Sequence, residues 1–460
     1  MTRRTMLSTA VFALLCVPGP ASELHAPRDT QASIAVTEAN ADGPTVLVIG
    51  HTTADGNAGA YAARQIAGWQ VSAGKLVVTW DAPLAGPGHL TEQAPWDIIR
   101  EHRPDWLVEL RDDYDYHRSI PASTGATVAA SDSPGEALVQ RILDAANTLV
   151  DDEDEQFVPM SAQLPDGSLA LEARRRFGTH HLALTTTVKD DIRLPIRTRL
   201  QRVMVREFLA ALDMLPDGAS ASAIASPAPD AINVAIYDGK GAVSSSGHAP
   251  PWIERSMAHL PDMTVNRIDG VDIAAGALDG FDAVIFGGGH AKDQAKGLGD
   301  GGRDAVREFV EAGGGYLGIC AGAFLVMEKY DWGLQILDAR KRDPDHTYTG
   351  SGIVKAELTE RGREILGGEP GLLDTKYSGG PILWPADDDD IPDFEPLFIF
   401  RTERPKKGVP KGLMIGSPAI VAAPFGGGRV VAFSPHCERH PGPQDLFWNA
   451  IRWAAKRPRR

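Results

Sequence analysis

The sequence contains only three cysteines in 460 residues, Cys16, Cys320 and Cys437. So small a set argues against a disulfide framework and against a zinc site built from several cysteines. Positive charge is also scarce, because 46 Lys and Arg residues stand against 61 Asp and Glu residues, and the formal net charge is −15. An acidic chain of this kind is not expected to bind nucleic acid or an anionic membrane surface.

Long apolar runs are missing beyond the first residues, so no segment there predicts a transmembrane helix. At the start, Arg3 and Arg4 precede an apolar run over residues 10–17 and then small residues and prolines. This order predicts a signal peptide over residues 1–22 and a periplasmic or secreted protein. The paired arginines resemble a twin-arginine signal, and the general secretory route fits equally well. A lipid anchor on Cys16 and a buried N-terminal helix stay open as alternatives.

The length of the chain allows two domains, each with a core of its own. Two stretches of small and polar residues divide it, and we interpret residues 23–44 and 217–230 as linkers. The domains are then residues 45–216 and residues 231–460. In both, apolar runs alternate with amphipathic segments, which predicts α/β domains with mostly parallel sheets and flanking helices.

The clearest chemical signal is a cysteine between two glycines. The apolar residues 316–319 predict a buried strand, and residues 321–329 predict the helix that follows it. Cys320 then lies at a sharp turn, where Gly318 and Gly322 leave the space that such a turn requires. A helix N-terminus favours thiolate over thiol, so Cys320 is a candidate nucleophile. A buried cysteine at a tight turn is nevertheless often only a small apolar residue.

A histidine and a glutamate complete the pattern. The apolar run over residues 429–434 predicts a strand, and His436, Cys437 and Glu438 follow it closely. Residues two apart in an extended segment point to the same side, so Glu438 can orient His436. His436 can then accept a proton from Cys320. The same alternation turns Cys437 away from Cys320, which favours two reduced cysteines, and a disulfide between them in an oxidising compartment stays open as the alternative.

Three consecutive glycines supply a further element of the candidate site. They follow a predicted strand at residues 282–286 and occupy positions 287–289. The backbone N–H groups of Gly288 and Gly289, with that of Ala321, are candidates for binding the oxyanion of a reacting carbonyl. Taken with the cysteine, these features favour acyl transfer over the other reaction classes.

These motifs resemble the class I glutamine amidotransferase-like superfamily, and most closely its branch related to the N-terminal domain of biotin-protein ligases. The resemblance covers roughly residues 231–455 and rests on residues 287–289, 313–323 and 436–438. It implies a flavodoxin-like fold for this half of the chain. It also implies that residues 377–381 border the cleft.

The resemblance implies that Cys320 is the nucleophile, His436 the base and Glu438 the orienting acid. One departure is Cys437, because these amidotransferases usually carry proline between the His and the Glu. We expect an exported thiol-dependent hydrolase that cleaves an amide of a small or peptide-like substrate through a thioester. No cofactor and no metal are expected. The alternative is a catalytically silent binding or scaffold protein built from two enzyme-derived domains.

The first half resembles a degenerate zinc carboxypeptidase or succinylglutamate desuccinylase/aspartoacylase domain. That family takes its zinc ligands and catalytic carboxylate from three short segments, which match residues 53–56, 109–111 and 185–187 here. None of the three retains the ligating histidine or the catalytic glutamate. Because a catalytic zinc needs about three protein ligands, the resemblance implies a pseudoenzyme without zinc.

Several polar residues remain near the place of the absent zinc site. Arg111 would suit a ligand carboxylate, and pairing with Asp112 or Asp113 is the alternative. Four histidines near this place either assemble another site or cap loops. They are His51, His117, His180 and His181.

Overall fold

The computed structural model describes residues 33–52, 56–83, 93–189, 192–216, 219–220, 224, 230–244, 247–327, 330–343, 350–406 and 411–456. The predicted signal peptide over residues 1–22 lies outside this part of the chain, and so do Thr53, Ala54 and Asp55 of the first zinc-ligand segment. Within the described ranges, no helix is both long and apolar enough to cross a membrane.

The first domain is built on a seven-stranded sheet. Its strands are β1 (Ser33–Glu38), β2 (Thr45–Thr52), β3 (Lys75–Pro83), β4 (Trp106–Asp113), β5 (Thr127–Ala130), β6 (Val158–Ser161) and β7 (His180–Thr187). Its helices are α1 (Ala58–Ile66), α2 (Gln93–His102), α3 (Ser133–Asn147), α4 (Leu169–Phe177) and α5 (Leu194–Ala211), with a short 3-10 helix at Glu153–Glu155. The strand order is β1-β3-β2-β4-β7-β5-β6, with antiparallel pairs only at β1/β3 and β5/β7 among these strands.

Helices cover both faces of this sheet. On β2, Val46 and Val48 pack with residues of α1, α3 and α5. The alternate residues Leu47 and Ile49 pack on the other face with α2 and α4. A strand buried on both faces explains why residues 45–49 form an unbroken apolar run.

Residues 33–38, which we expected to belong to a linker, form the edge strand β1 instead. This strand pairs antiparallel with β3, from Ser33 opposite Trp80 to Glu38 opposite Lys75. Its side chains are alternately half-buried and exposed, as they are in an edge strand with one face on the protein. The stretch contains the β-branched residues Ile34, Val36 and Thr37, which favour a strand, and this signal was missed because it is short and lies among small and polar residues.

The second domain is built on a nine-stranded sheet. Its strands and those of two small ribbons are β8 (Ile232–Tyr237), β9 (Val243–Ser244), β10 (Gly247–His248), β11 (Met263–Ile268), β12 (Ala283–Phe286), β13 (Gly315–Ile319), β14 (Ala339–Lys341), β15 (Ser351–Leu358), β16 (Leu372–Ser378), β17 (Leu383–Pro385), β18 (Glu395–Phe400), β19 (Pro418–Phe425) and β20 (Gly428–Phe433). Its helices are α6 (Ala249–Met257), α7 (Gly270–Ala274), α8 (Ala291–Glu311), α9 (Ala321–Leu325), α10 (Glu360–Leu366) and α11 (Gln444–Ala454), with a 3-10 helix at Ala277–Gly280.

The nine strands follow the order β11-β8-β12-β13-β20-β19-β18-β15-β16. The five from β11 to β20 are parallel, and each of the other four pairs antiparallel with its neighbours. The remaining four strands form two ribbons, β9 with β10 and β14 with β17. The predicted α/β class, with two sheets and flanking helices, is confirmed.

Buried ion pairs connect the two domains. Arg202 of α5 is fully buried, and its guanidinium lies 2.6 Å from the carboxylate of Asp272 on α7. One turn earlier on α5, Arg199 lies 2.8 Å from Asp269, which caps α7. The domains therefore meet through paired charges that are removed from water.

Candidate active site

Cys320 occupies a strained turn between β13 and α9. Its backbone has φ 52° and ψ −98°, a conformation that non-glycine residues rarely adopt. A Cβ on Gly318 would lie 2.4 Å from the Gly322 carbonyl oxygen, and one on Gly322 would lie 2.1 Å from that of Phe286. Both glycines are thus required by close packing, as the sequence pattern predicts.

His436 reaches the same edge of the sheet from the neighbouring strand. β20 pairs in parallel with β13, and Ile319 stands opposite Phe433. Both strands therefore end at the carboxyl edge of the sheet, where β13 is followed by Cys320 and β20 by His436. The backbone N–H of His436 donates to the carbonyl of Lys376 over 2.7 Å, which fixes the segment against β16.

Glu438 holds the imidazole of His436. The distance from His436 Nδ1 to Glu438 Oε1 is 2.8 Å, and both side chains are buried. The segment is a turn rather than the extended chain that we expected, since residues 437 and 438 have turn geometry. His436 and Glu438 nevertheless meet, because the turn brings the Glu438 carboxylate to Nδ1 of the imidazole.

The charges of the three side chains are coupled. Burial disfavours the imidazolium, but the Glu438 carboxylate and a hydrogen bond with Cys320 outweigh it and raise the pKa of His436 to about 10. An imidazolium of this kind is the natural partner of a thiolate. The Cys320 sulfur also lies 3.4 Å from the Ser378 carbonyl oxygen.

The helix after the nucleophile is shorter than predicted. We expected it over residues 321–329, and α9 ends at Leu325, after which Met327 forms a bridge with Leu337. A five-residue helix has a weak macrodipole. The imidazolium of His436 is therefore the stronger source of positive charge beside Cys320.

Cys437 is separated from this chemistry. Its thiol is fully buried and lies 3.6 Å from Thr375 Oγ1. Burial raises its pKa to about 12, so it remains a neutral thiol near pH 7. Cys320 and Cys437 are both free cysteines in this structure.

The glycine turn after β12 contacts both the imidazole and the cavity. A Cβ on Gly288 would lie 3.0 Å from His436 Cε1, so the ring packs directly on the backbone there. Gly289 has φ 148°, and a Cβ on it would lie 2.0 Å from the Gly241 carbonyl oxygen. The buried side chain of Gln294 donates to the carbonyl of Gly287 over 3.0 Å and holds the turn.

A cavity of about 310 Å³ opens over the thiol. Of the predicted oxyanion donors, Gly289 and Ala321 line it with Cys320, whereas Gly288 contacts His436. The first N–H groups of a helix have no intrahelical partner, which suits Ala321 to an oxyanion. The lining residues are Gly289, His290, Ala291, Lys292, Cys320, Ala321, Phe324, Tyr330, Trp332, Lys341, Ser378 and Gly379.

The sequence pattern did not indicate the charged and aromatic wall of this cavity. Lys292 is the second residue of α8, Tyr330 and Trp332 follow α9, and Lys341 ends β14. These positions share no spacing in the chain, and only the fold brings them together. The nearest signal in the sequence was that Lys292 comes soon after the glycine turn, and that Tyr330 and Trp332 come soon after the helix that follows Cys320.

The first domain carries a buried cluster beside the place of the absent zinc site. The Glu109 carboxylate contacts His51 Nε2 over 2.9 Å and His181 Nε2 over 2.6 Å. Arg111 binds the same carboxylate at 2.5 Å, so its acidic partner within the chain is Glu109 and not Asp112 or Asp113, the alternative that the sequence offered. Burial opposes ionisation of Glu109, but Arg111 and the two histidines hold its pKa well below the usual value. The Glu109 carboxylate therefore has three hydrogen-bonding partners inside the domain, which are His51, His181 and Arg111.

The other two histidines do not join this cluster. His117 Nδ1 lies 2.7 Å from the Ser123 carbonyl oxygen, and His180 Nδ1 lies 3.1 Å from the Asp132 carboxylate. Asp112 instead pairs with Arg197 over 2.7 Å. Within the described residues, no group of three or more His, Cys, Asp and Glu side chains has a geometry that could hold a metal ion.

A known family matches part of the second domain. The family model described as "Biotin-protein ligase, N terminal" matches residues 232–339. The resemblance inferred from the sequence is confirmed over these residues. The match includes the glycine turn and the Cys320 elbow, and it ends before His436 and Glu438. None of the proteins with curated functions matches the chain.

Several solved structures are similar to parts of the chain. The apo cell shape determinant protein Csd4 from Helicobacter pylori is 14% identical with a TM-score of 0.34, and the similarity covers 40% of this chain and 55% of that one. A glutamine amidotransferase is 18% identical with a TM-score of 0.34, and the similarity covers 48% of this chain and 98% of that one. A cytoplasmic protein from Salmonella typhimurium is 11% identical with a TM-score of 0.33, and the similarity covers 48% of this chain and 98% of that one. The chain thus spans about half the length of Csd4, and similarity at this level identifies no activity.

Proposed function

We propose that the protein is a thiol-dependent hydrolase that cleaves an amide bond, with Cys320 as nucleophile. One observation carries this proposal. Cys320 lies on a strained turn at the mouth of a cavity, it and His436 both lie within 4 Å of the position that a Cβ on Gly288 would take, and His436 lies 2.8 Å from Glu438. A purely structural cysteine needs neither the strained backbone nor the charged partner.

The reaction follows from the positions of these groups. The Cys320 thiolate attacks the amide carbonyl carbon, and N–H groups of Gly289 and Ala321 stabilise the oxyanion. As the C–N bond breaks, the His436 imidazolium gives its proton to the leaving amine, and a thioester is formed. Water then attacks the thioester, His436 accepts a proton from that water, and the C–S bond breaks. The carboxylic acid leaves, and the thiolate–imidazolium pair is restored.

Two features of the chain favour simple hydrolysis outside the cytoplasm. The order of residues 1–22 is typical of a signal peptide. Hydrolysis requires only water and the groups that line the site, whereas ammonia transfer would also require a second site for the acceptor. The protein would therefore act as an exported hydrolase on a small or peptide-like amide.

Alkylation of the purified protein with iodoacetamide across pH tests the proposal. The rate is followed on the Cys320 peptide by mass spectrometry, with the urea-unfolded chain as reference. Because the pKa of His436 is about 10, the imidazolium persists through neutral pH. We expect the folded Cys320 rate to stay high well below the ordinary thiol pKa of about 8.5. A pH profile that coincides with that of the unfolded chain would contradict the proposal.

A binding or scaffold protein is the second candidate. Its support is the first domain, where the Glu109 carboxylate is held by Arg111, His51 and His181. A protein of this kind would hold its ligand without turnover, and Cys320 would show ordinary thiol reactivity. The alkylation profile therefore separates the two candidates.

A further inference from the structure

A short loop over residues 238–242, which we name the β8 loop, lies between the first domain and the glycine turn of the candidate site. It follows β8 at the carboxyl edge of the large sheet. The carbonyl of Gly241 accepts a hydrogen bond from the backbone N–H of His290 over 2.9 Å. The carbonyl of Gly239 accepts one from the guanidinium of Arg193, which belongs to the first domain. The β8 loop is therefore in contact with both.

The β8 loop and the glycine turn pack backbone against backbone. A Cβ on Gly289 would lie 2.0 Å from the Gly241 carbonyl oxygen, and a Cβ on Gly241 would lie 2.4 Å from the Gln294 backbone nitrogen. Contacts this close leave little room for adjustment, so a shift of the loop must be accompanied by a shift of the turn. Gly289 lines the cavity over Cys320, and its N–H is one of the proposed oxyanion donors.

The first domain holds Arg193 in place. This residue directly precedes α5, and hydrogen bonds of Arg197 anchor that end of the helix. Arg197 donates to the Ile192 carbonyl over 3.1 Å and to the Asp112 carboxylate, near the end of β4, over 2.7 Å. The side chains of Arg197 and Asp112 are both buried. The guanidinium of Arg193 therefore reaches the β8 loop from a fixed base.

The carboxylate at the start of the β8 loop has partners of its own. Asp238 accepts two hydrogen bonds from Arg267, over 3.0 and 2.7 Å, and lies 2.5 Å from His248 Nε2. Arg193 is farther away, at 4.0 Å from the same carboxylate. The contact that distinguishes Arg193 is thus its hydrogen bond to the Gly239 carbonyl.

We propose that Arg193 is a positioning residue for the oxyanion site, so that the first domain completes the candidate active site of the second. Its guanidinium holds the β8 loop, the loop holds the glycine turn, and the turn presents the N–H of Gly289 to the oxyanion. This inference rests on the proposed hydrolase function, since it adds a residue to the same site. It gives the first domain a role in the reaction that requires no chemistry of its own.

Two reagents that react with the same sulfur by different routes test this inference. The Cys320 thiolate attacks p-nitrophenyl acetate at the carbonyl carbon, an oxyanion forms, the C–O bond to p-nitrophenolate breaks, and an acetyl thioester remains. It attacks iodoacetamide at a saturated carbon, iodide leaves, and no oxyanion forms. The ratio of the first rate to the second therefore reports on the oxyanion site separately from thiolate reactivity. Release of p-nitrophenolate that persists in Cys320→Ser is subtracted.

The ratio in the folded wild type should exceed that in the urea-unfolded chain. Arg193→Gln should lower it by about five- to thirty-fold, because loss of an oxyanion donor costs about a hundred-fold or more and a displaced donor costs less. The iodoacetamide rate should stay near the wild-type value, since His436 and Glu438 are unchanged. Arg193→Lys should recover part of the loss, because an ammonium group can still donate to the Gly239 carbonyl. Hydrogen exchange of the backbone amides over residues 287–291 should be faster in Arg193→Gln than in the wild type.

Arg64→Gln is the matched control. Arg64 also belongs to the first domain, and it donates to a backbone carbonyl of the second domain, that of Val265 on β11, over 2.6 Å. The variant removes the same kind of hydrogen bond at a place outside the β8 loop, so it should leave the rate ratio and the exchange at their wild-type values. An equal loss in both variants would mean that any loosening of the domain contact has this effect, and the inference would fall.

The outcomes separate this inference from the proposed function. If Arg193→Gln keeps the wild-type ratio, Arg193 does not position the site, and the hydrolase proposal is untouched. If the folded wild type has a ratio no higher than that of the unfolded chain, the hydrolase proposal falls, and hydrogen exchange alone judges the contact of Arg193 with the turn. Faster exchange in Arg193→Gln would then support that contact, and equal exchange would refute it.

Discussion

His436 is the residue on which the charge balance of the candidate site depends. Its pKa lies near 10 instead of near 6.5, despite burial that favours the neutral ring, because Glu438 and Cys320 supply negative charge. A group with a raised pKa stabilises the folded state fully below its unfolded-state pKa. That contribution is then lost as the pH rises through the folded-state pKa. The stabilising effect of this charge cluster is therefore complete below about pH 6.5 and disappears near pH 10.

Three single variants rank the roles of the residues around Cys320. His436→Ala removes the charge partner of the thiolate, and we expect a loss of about ten- to thirty-fold in the alkylation rate at pH 7, since an ordinary thiol is only a few per cent thiolate there. Glu438→Gln should cost less, because it loosens the ring and weakens the imidazolium. Cys437→Ser should stay near the wild-type rate, because this side chain faces Thr375.

One result would contradict this order of loss in the Cys320 alkylation rate. If Cys437→Ser proved the most damaging change, the triad assignment would have to be replaced by a redox pair of Cys320 and Cys437. The function would then move from hydrolysis to thiol exchange. Thiol titration of each variant before and after mild oxidation distinguishes the two cases.

At the scale of elements, the glycine turn after β12 sets the position of the imidazole. In Gly288→Ala the new methyl group would lie 3.0 Å from His436 Cε1, and the ring is held from behind by Glu438. We expect this variant to lower the Cys320 alkylation rate several-fold with little loss of stability. Both quantities are measured on the same preparation, by alkylation and by urea unfolding.

A second glycine provides the control. Gly301 lies on α8, where a Cβ would meet nothing within 4 Å. Gly301→Ala should leave the alkylation rate unchanged and raise the free energy of unfolding by about 0.4–1 kcal/mol, because alanine loses less backbone entropy in a helix. A similar loss of alkylation in both variants would show that the effect of Gly288→Ala does not come from contact with His436.

Apolar periodicity located the central strands because their burial is nearly complete. The predicted strands at residues 282–286, 316–319 and 429–434 agree with β12, β13 and β20 to within one residue at each end. Parallel pairing then follows from the alternation of strands and helices. For this reason the sequence could predict that Cys320 and His436 would meet at one edge.

The elements that the sequence missed depend on tertiary context. The strand β1 has β-branched residues at Ile34, Val36 and Thr37, but a run of six residues predicts a strand only weakly until its pairing with β3 is known. α9 ends early because the chain after Leu325 turns into a bridge with Leu337. The wall of Tyr330, Trp332 and Lys341 is created by the fold alone, since nothing in the local pattern places those residues opposite Cys320.

At the scale of the whole molecule, the domains are joined by charge. Arg202 and Asp272 are both fully buried, and each comes from a different domain. Such a pair contributes little beyond the cost of removing it from water, but breaking it leaves one charge uncompensated. The two domains should therefore unfold in one transition that is sensitive to either partner.

Arg202→Met tests this coupling. We expect the free energy of unfolding in urea to fall by about 3–5 kcal/mol. The double variant Arg202→Met with Asp272→Asn should recover part of this loss, because no unpaired charge remains. Arg175→Met is the control, since that arginine is exposed beside Asp166, and the change there should be at most about 1 kcal/mol. Equal effects at the two positions would refute the role of the buried pair.

The small ribbon of β14 and β17 has a consequence for how such a protein can diversify. Cys320 and His436 follow adjacent strands of the large sheet, whereas Lys341 belongs to this separate two-stranded ribbon. Mutations in the ribbon would change the wall of the cavity, and with it the ligands that fit, and would leave Cys320 and His436 in place. Related proteins could therefore differ in the ligands they bind while they keep the same proposed reaction.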